Sequence, residues 1–250
     1  MVVGEGHNTT PPGGKSETMS FGWPHRIYES ELMDTPTSDR AKLERTLNQF
    51  IVINWFFSNS RGLISKYIIQ DIETQNDREF LTLLDVGSGA CDIAIWLARK
   101  CKRLRITCLD HDPRVVEYAK RRCASQPAIE VVLGSASDLE DMETYDYIFA
   151  NHFLHHLADE EIEPTFATML KKSRRLFLIN DLLRSPWAYL GFSIFSGLFL
   201  HRSFARADGL LSIKKGFRPE ELVELTSSGD IQKRLEIFTM APGHVCVVGR

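Results

Sequence analysis

Short apolar runs alternate with amphipathic stretches from residue 80 onward, and this alternation constrains the fold more than any other feature. The apolar runs are continuous in character, and they cover 80–86, 104–110, 128–133, 145–150 and 175–181. The stretches between them have helical periodicity, at 91–101, 113–123 and 159–172. Strands of this kind are buried on both faces, because helices cover both sides of a parallel sheet. The sequence therefore predicts an α/β fold with a doubly wound, mostly parallel sheet.

The chain is expected to form one domain behind an N-terminal tail. With 250 residues, 43% of them hydrophobic, it has the length and composition of a single large α/β domain. Residues 1–37 are expected to be a disordered or extended tail, since they begin with a stretch rich in Gly, Pro, Ser and Thr. Residues 38–250 would form the domain. Within it we predict an N-terminal helical cap, an apolar insertion, a short helix and two closing strands, at 38–72, 182–214, 217–227, 235–240 and 244–248.

Composition disfavours several classes of protein. The 30 basic residues face 33 acidic ones, so the net charge of -3 argues against a duplex nucleic acid as partner. The basic run 171–175 lies between a predicted helix and a predicted strand, where solvated charge is usual. Five cysteines, odd in number and without close pairs, are typical of reduced thiols in a cytoplasmic protein. The longest uncharged apolar run, 187–200, is shorter than the roughly 20 residues of a spanning helix, and the polar N-terminus shows no secretory signal.

Residues 84–92 join a strand, a glycine-rich turn and the start of a helix. Gly87 and Gly89 carry no Cβ, so the backbone can turn sharply there and approach a ligand, while the helix start offers free N–H groups. Asp110 ends the next strand, 21 residues beyond Gly89. An acid at that spacing accepts hydrogen bonds from ribose hydroxyls in nucleotide-binding α/β units. Asp112 lies directly before a proline and better fits a helix cap.

The acidic residues around the turn indicate which nucleotide fits. Asp92 places a negative charge in the first turn of the helix, where it would repel a pyrophosphate. Asp85 directly precedes the turn. A loop flanked by acids suits a ligand with a cationic part. S-adenosylmethionine carries an ammonium and a sulfonium together with a ribose and an adenine, so the pattern favours it as cofactor.

Four segments in this order carry a resemblance to a known family. They are the turn at 85–90, Asp110, the Leu-Gly-Ser-Ala segment 133–136, and the segment 145–157, which reads Tyr-Asp-Tyr-Ile-Phe-Ala-Asn-His-Phe-Leu-His-His-Leu. In this combination the sequence resembles the class I S-adenosylmethionine-dependent methyltransferases, in their small-molecule branch, over roughly 80–250. The resemblance implies a seven-stranded sheet in the order 3-2-1-4-5-7-6, with strand 7 antiparallel, and S-adenosylmethionine as the cofactor.

The resemblance also implies a cofactor site at the carboxyl ends of the strands. The methionine part would lie against Asp85, Gly87 and Gly89, and the ribose against Asp110. Further candidates for this site follow the same strand ends, namely Ser88, His111, Ser135, Ala136 and Asn151.

One departure from the family concerns the adenine. After the third strand the family often has Gly-Asp, whose acid meets the adenine amino group. Here the segment reads Gly134-Ser135-Ala136. The contact would therefore fall to Ser135 or to Asp138.

Three histidines follow the fourth strand and are candidates for the chemistry. Methyl transfer mainly requires alignment and the removal of a proton from the acceptor, for which histidine has a suitable pKa. His155 is the first candidate for this base and His152 the second, although some of the three histidines can simply cap or pack the turn. Asp181 is the third catalytic candidate; with Asn180 it would orient a histidine, bind the acceptor or cap the next segment. The histidines could also bind a metal, but no partner carboxylate cluster stands out, so no metal is expected.

The apolar insertion bears on the acceptor. Trp187–Leu200 carries no charge. It can be a buried core helix, a lid whose inner face forms an apolar acceptor pocket and excludes water, or a surface for a membrane interface or a second copy of the chain. Trp55, Phe56 and Phe57 are expected to close over the same opening. These features predict a hydrophobic small-molecule acceptor and leave room for a homodimer.

These observations favour a small-molecule methyltransferase of secondary metabolism that methylates the oxygen of a phenol or enol. C-methylation of an aromatic or quinone-like ring would use the same base and is the first alternative. A nucleotide-dependent reductase is a second. A non-catalytic ligand-binding or scaffold protein with the same fold is a third, supported by the changed Gly-Ser-Ala segment.

Overall fold

A seven-stranded mixed sheet runs through the chain, for which the computed structural model describes residues 23–75, 79–227 and 229–250. Its strands are β1 (Leu81–Val86), β2 (Leu104–Asp110), β3 (Ile129–Leu133), β4 (Tyr145–Asn151), β5 (Ser173–Leu182), β6 (Leu235–Met240) and β7 (His244–Gly249). They lie in the order β3-β2-β1-β4-β5-β7-β6, and β7 is antiparallel to both of its neighbours. The predicted α/β fold and strand order are therefore confirmed.

Helices cover both faces of this sheet. They are α1 (Arg40–Phe56), α2 (Ser60–Ile64), α3 (Gln70–Thr74), α4 (Asp92–Lys100), α5 (Pro113–Cys123), α6 (Asp159–Lys172), α7 (Pro186–Phe199), α8 (Ala205–Lys215) and α9 (Pro219–Leu225), with a π-helical segment, Ser65–Ile69, between α2 and α3. Leu97 of α4 and Val116 of α5 pack into one core cluster. Ile162 of α6 and Leu222 of α9 pack into another on the opposite face. Both α5 and α6 have the predicted bounds.

Strand β4 illustrates why the strands are apolar throughout. Tyr147 and Phe149 join the cluster that contains α4, whereas Ile148 and Ala150 join the one that contains α6. All four are at most 1% exposed. Since successive side chains of a strand point to opposite faces, a sheet covered on both sides needs apolar residues at every position.

Residues 23–37 form neither helix nor strand, but they are not a free tail. The Arg26 guanidinium is buried and pairs with Asp159. Asp208 of α8 accepts hydrogen bonds from two consecutive backbone N–H groups of the segment, at 2.8 and 3.0 Å. These partners lie far away in sequence, so composition alone could not predict this docking. The remainder of the expected tail, residues 1–22, lies outside the described residues.

The apolar insertion folds into α7 and α8. Ser185 caps α7 by accepting from the Ala188 N–H, at 3.4 Å, and Pro186 occupies the first helical turn. No helix among the described residues is both long and apolar enough to cross a membrane. The insertion thus places α7 beside α1, over the carboxyl ends of the parallel strands.

Candidate active site

A cavity of about 590 Å³ lies at the carboxyl ends of the parallel strands, where open α/β sheets bind their ligands. Its wall includes every residue predicted for the cofactor: Asp85, Gly87, Ser88, Gly89, Asp110, His111, Ser135, Ala136 and Asn151. Of the catalytic candidates, His152 and His155 line the cavity. Asp181 is fully buried and lies behind His155.

The glycine turn after β1 has a backbone conformation that only glycine adopts readily. Gly87 has φ +67° and Gly89 has φ +52°, a left-handed region that favours glycine. A Cβ on Gly87 would come within 3.3 Å of the Phe153 ring. The Gly89 N–H donates to Asp110 Oδ2 at 2.9 Å, so the acid at the end of β2 fixes the turn after β1.

Asp110 keeps acceptor capacity for a ligand. Its Oδ1 accepts from the Asp112 N–H at 3.1 Å, and each carboxylate oxygen has a second lone pair. Burial raises the pKa of Asp110, against the lowering effect of its backbone hydrogen bonds. The exposed His111 ring stands at the rim, 3.9 Å from the same carboxylate. Asp112 accepts from the Arg114 N–H at 2.8 Å, which confirms its predicted role as the cap of α5.

Buried carboxyl groups are concentrated beside the turn. Asp85 is 3% exposed, and burial, together with the charges of Asp92 and Asp110, raises its pKa well above the ordinary value. The Asp92 carboxylate accepts hydrogen bonds from Asn54 Nδ2 and from Arg61 Nη2, both at 3.3 Å. A positively charged group entering between these carboxylates would relieve their repulsion. The turn therefore fits a cationic ligand.

After the carboxyl end of β3, the two expectations for the adenine contact separate. The Asp138 carboxylate accepts from the Ser135 N–H at 2.7 Å and so closes its own turn. It is not part of the cavity wall, whereas Ser135 and Ser137 are. Their hydroxyls are 2.6 Å apart. Of the two candidates for the adenine contact, Ser135 lines the cavity and Asp138 does not.

His155 and Asp181 form a buried pair. His155 Nδ1 lies 2.7 Å from Asp181 Oδ1. The Asp181 carboxylate also accepts from the Phe153 N–H, at 2.8 Å, and from the Leu182 N–H, at 2.6 Å. These bonds tie the turn after β4 to the end of β5. Asp181 is therefore placed to orient the ring, and it does not line the cavity.

Asn180 does not face the cavity. It is fully buried, and its Nδ2 donates to Asn151 Oδ1 at 2.8 Å and to the Ser58 carbonyl at 2.9 Å. Asn151 Oδ1 also accepts from Ser60 Oγ at 2.6 Å. The expectation that Asn180 binds the acceptor is not supported by this arrangement, which instead fixes Asn151 in the wall.

Glu31 is the main residue of the site that the sequence did not single out. Its Oε1 lies 3.5 Å from His155 Nε2, and it accepts from Ser212 Oγ at 2.8 Å and from Lys215 Nζ at 3.1 Å. It is 2% exposed. Nothing in the local sequence distinguishes it from Glu29, because the pairing depends on how residues 23–37 cross the domain.

The two carboxylates control the charge of His155. Burial alone would lower the pKa of this histidine, but the charge and hydrogen bond of Asp181, reinforced by Glu31, raise it to about 9. The pKa of Asp181 is lowered by the charge and hydrogen bond of His155 despite burial, and that of Glu31 is lowered by the histidines and Lys215 despite burial. The result is a line of alternating charge in which His155 and Glu31 line the cavity.

His152 faces a histidine partner that the sequence analysis did not name. His152 has φ +53°, and its Nε2 lies 3.0 Å from Nε2 of His244, the first residue of β7. Burial lowers the pKa of His152 to about 3 and that of His244 to about 4, so both rings are neutral at pH 7. His244 Nδ1 is buried and has no hydrogen-bond partner among the described residues. Because β7 runs antiparallel to β5, its first residue reaches the edge where the other strands end.

Glu31, His155 and His156 each bring one potential metal-ligand atom to within 4.8 Å of the others. The Lys215 ammonium already lies among them, 3.1 Å from Glu31 and 3.4 Å from His156 Nδ1. The positive charge that a metal ion would supply is thus present in the chain itself, and we treat the group as an ion-pair network.

Aromatic side chains form the remaining wall. They come from α1 and its C-terminal end, and from α7: Phe50, Phe57, Phe192 and Phe195. The Phe57 and Phe195 rings meet edge to face, with centroids 4.7 Å apart. The other face of α7 is exposed, so the interpretation of this segment as a buried core helix is wrong. The prediction for Trp55 and Phe56 is also wrong, because the helical turn directs both outward and leaves only Phe57 at the opening.

Comparison with known proteins agrees with this geometry. Residues 83–174 match the family described as a methyltransferase domain. This segment, from β1 to the start of β5, is similar to methyltransferase domains. The match agrees with the predicted resemblance to the class I S-adenosylmethionine-dependent methyltransferases over this segment. No curated protein sequence matches the chain.

Solved structures share the fold at low sequence identity. The plantazolicin methyltransferase BpumL, in complex with SAH, is 13% identical with a TM-score of 0.61, over 88% of this chain and 94% of that one. Human N-acetylserotonin methyltransferase, in complex with SAM, is 17% identical with a TM-score of 0.59, over 85% and 56%. The CurJ carbon methyltransferase is 12% identical with a TM-score of 0.54, over 75% and 52%. The chain thus spans about half the length of the last two proteins.

Proposed function

We propose that the protein transfers a methyl group from S-adenosylmethionine to the hydroxyl of a hydrophobic small molecule, a phenol or an enol. One observation carries the proposal: a single cavity joins a doubly acidic glycine turn at one end to a histidine held between two carboxylates at the other. The methyltransferase domain supports the reaction class. Fold neighbours described with SAM or SAH bound support the cofactor.

The residues of the turn fit this cofactor. Asp85 and Asp92 are the acidic partners for an amino acid ammonium and a sulfonium; burial raises the pKa of both carboxyls, and a bound cation would stabilise their charged forms. Asp110 has free lone pairs for two vicinal hydroxyls, and Ser135 stands where an adenine would end. Gly89 leaves open space where a Cβ would be. When bound, S-adenosylmethionine supplies a methyl group on a positively charged sulfur, ready for displacement.

His155 would take the proton of the acceptor on Nε2, because its Nδ1 is bound to Asp181. A phenol has a pKa near 10, so handing its proton to an ordinary histidine of pKa about 6.5 costs about 4.8 kcal/mol. With the pKa of His155 at about 9, the same transfer costs about 1.4 kcal/mol. Asp181 and Glu31 stabilise the imidazolium that results. With this pKa, only about 1% of His155 is neutral at pH 7. Because only the neutral ring can accept a proton, turnover should rise with pH.

The aromatic wall indicates the acceptor class. Phe50 and Phe57 on one side and Phe192 and Phe195 on the other leave a slot suited to a flat, apolar molecule. Such a wall also keeps water from the methyl group during transfer. We therefore favour a polyketide-like or quinone-like acceptor with one ionisable hydroxyl, modified in secondary metabolism.

C-methylation of an activated ring is the second candidate, since the same base could remove a ring proton. The fold does not separate the two, because neighbours include proteins described as O-methyltransferases and a carbon methyltransferase. We place the enzyme in a reducing cytoplasm, which is supported by five unpaired thiols. We also propose that residues 38–250 act as a single domain, completed by residues 23–37.

Calorimetric titration with S-adenosylhomocysteine and with NADH tests the cofactor. We expect binding of S-adenosylhomocysteine alone. Binding of NADH instead would favour a reductase, and binding of neither would favour a scaffold. A mass-spectrometric screen of phenolic, enolic and quinone-like candidates with methyl-labelled cofactor then tests the acceptor, and carbon NMR of the product distinguishes O- from C-methylation.

The role of His155 is tested by His155→Ala. We expect turnover to fall at least about a hundredfold, since general bases contribute on this scale, while the affinity for S-adenosylhomocysteine stays the same. His25→Ala, an exposed histidine outside the cavity, is the matched control. Unchanged turnover in His155→Ala would remove this residue from the mechanism.

A further inference from the structure

Apart from Trp187, which also borders the cavity, the α7 helix has a second apolar face that lies outside the cavity wall. The large side chains on this face are each at least 50% exposed, namely Trp187, Leu190, Ile194, Leu198 and Phe199. The first four recur at intervals of three, four and four residues, which places them on one side of the helix. A helix that covers a cavity needs only its inner face to be apolar. The outer face therefore calls for its own explanation.

The α1 helix continues this surface. Its outward side chains are 47–71% exposed, namely Val52, Trp55 and Phe56. The two helices lie side by side, because Phe57 meets Phe195 and Gln49 Nε2 donates to the His201 carbonyl at 3.2 Å. A fully exposed aromatic side chain has an area of about 200 Å². From their exposed fractions, the outward aromatic side chains of the two helices together expose roughly 500 Å²; they are Trp55, Phe56, Trp187 and Phe199. That alone matches the largest apolar patch of a typical monomer.

Basic residues border this surface, and acidic ones are missing from its two segments. Neither 45–60 nor 182–207 contains an aspartate or a glutamate. Arg45, Arg202 and Arg206 are exposed at the joint between α1, α7 and α8. Arg45 Nη1 donates to the Arg202 carbonyl at 2.9 Å. Within the described part of the chain, no carboxylate forms a salt bridge with these three arginines.

We propose that this docking face, formed by the exposed side chains of α1 and α7 and by the three arginines, binds the surface of an anionic lipid bilayer. Tryptophan and phenylalanine insert at the level of the headgroups, and arginines at the rim pair with anionic lipids. The face lies on the membrane and does not cross it. A second copy of the chain is a poorer occupant, because the same face would bring arginines and no carboxylate to meet them.

The position of α7 adds a consequence for the substrate, and this step rests on the proposed function. Phe192 and Phe195 on its inner face line the cavity, while the outer face would rest in the lipid. An apolar acceptor dissolved in the bilayer would then need to pass only one helix to reach His155. The substrate would then be a phenol or enol that partitions into membranes.

Vesicle flotation of the full chain tests the docking face without any turnover. We expect binding to vesicles of phosphatidylcholine with about 30% phosphatidylglycerol, and weaker binding to phosphatidylcholine alone or when salt rises from about 0.1 M to 0.5 M. Replacing Ile194 and Leu198 together by serine should weaken binding by about tenfold or more. Val223→Ser, an exposed aliphatic residue on α9, should leave it unchanged.

Charge is tested separately with Arg202→Gln and Arg206→Gln, each of which should cost about fivefold on the anionic vesicles and little on neutral ones. Circular dichroism and S-adenosylhomocysteine binding verify that the variants fold. Absence of wild-type binding to both kinds of vesicle would overturn the proposal. So would undiminished binding of the double serine variant. A dimer seen by light scattering that this variant turns into a monomer would assign the face to a second copy instead.

Discussion

Replacing Glu31 by glutamine tests how the carboxylates control the candidate base. The change keeps the shape of the side chain and an acceptor for Ser212 and Lys215, but it removes one of the two negative charges on His155. The pKa of His155 stands at about 9 against an ordinary 6.5. That rise corresponds to a net preference of about 3 kcal/mol for the imidazolium, after the opposing effect of burial.

Asp181 supplies the larger part of this interaction, because its oxygen lies 2.7 Å from His155 whereas that of Glu31 lies at 3.5 Å. We therefore assign the smaller part of the pKa rise to Glu31, about one pKa unit or about 1 kcal/mol. Since the wild-type ring is protonated at neutral pH, kcat/KM should rise with pH and level off near pH 9. In Glu31→Gln the rise should level off about one unit lower.

Initial rates with methyl-labelled cofactor between about pH 6 and 10 measure this limb. Glu29→Gln, an exposed carboxylate of the same segment, is the matched control and should leave the limb in place. S-adenosylhomocysteine affinity should be equal in all three proteins. A limb that stays near pH 9 in Glu31→Gln, or one that moves equally in Glu29→Gln, would refute the reasoning.

Three further outcomes follow from the site. Asp110→Ala should weaken S-adenosylhomocysteine binding by about ten- to a hundredfold in calorimetry, since two ribose hydrogen bonds to a charged group are lost; an unchanged affinity would contradict its ribose role. Phe192→Ala should raise KM for the best acceptor and admit bulkier ones, with cofactor affinity unchanged, as read from the substrate screen. His152 and His244, with pKa values of about 3 and 4, cannot take up protons in the folded state near pH 5, whereas the unfolded chain can; the free energy of unfolding should therefore fall between pH 6.5 and 4, by at most about 1.4 kcal/mol per unit for each histidine. In urea melts at pH 7 and 5, His244→Gln should reduce this loss.

The fold was predictable because its determinants are local or regularly spaced. Each buried parallel strand is recognisable in the sequence as a continuous apolar run. For β2 the predicted and observed bounds coincide at 104–110. Asp110 was identifiable since its distance from the glycine turn is set by one βα unit. The same logic placed His155 and Asp181 at one edge, because parallel strands end together.

The rest of the site depends on contacts that no local pattern encodes. Glu31 reaches His155 only through the path of residues 23–37 across the domain. His244 meets His152 through the register of an antiparallel strand, Leu182 opposite His244. Of the three consecutive aromatic residues at 55–57, composition cannot tell which side chain faces the cavity, because this depends on how the end of the helix is rotated. The structure selects Phe57.

The most direct test of the central claim is the crystal structure of the complex with S-adenosylhomocysteine. We expect the ribose hydroxyls within hydrogen-bond distance of the Asp110 carboxylate, the amino group of the ligand beside Asp85, and the sulfur directed toward His155. A ligand bound outside this cavity, or one whose ribose leaves Asp110 without a contact, would contradict the account.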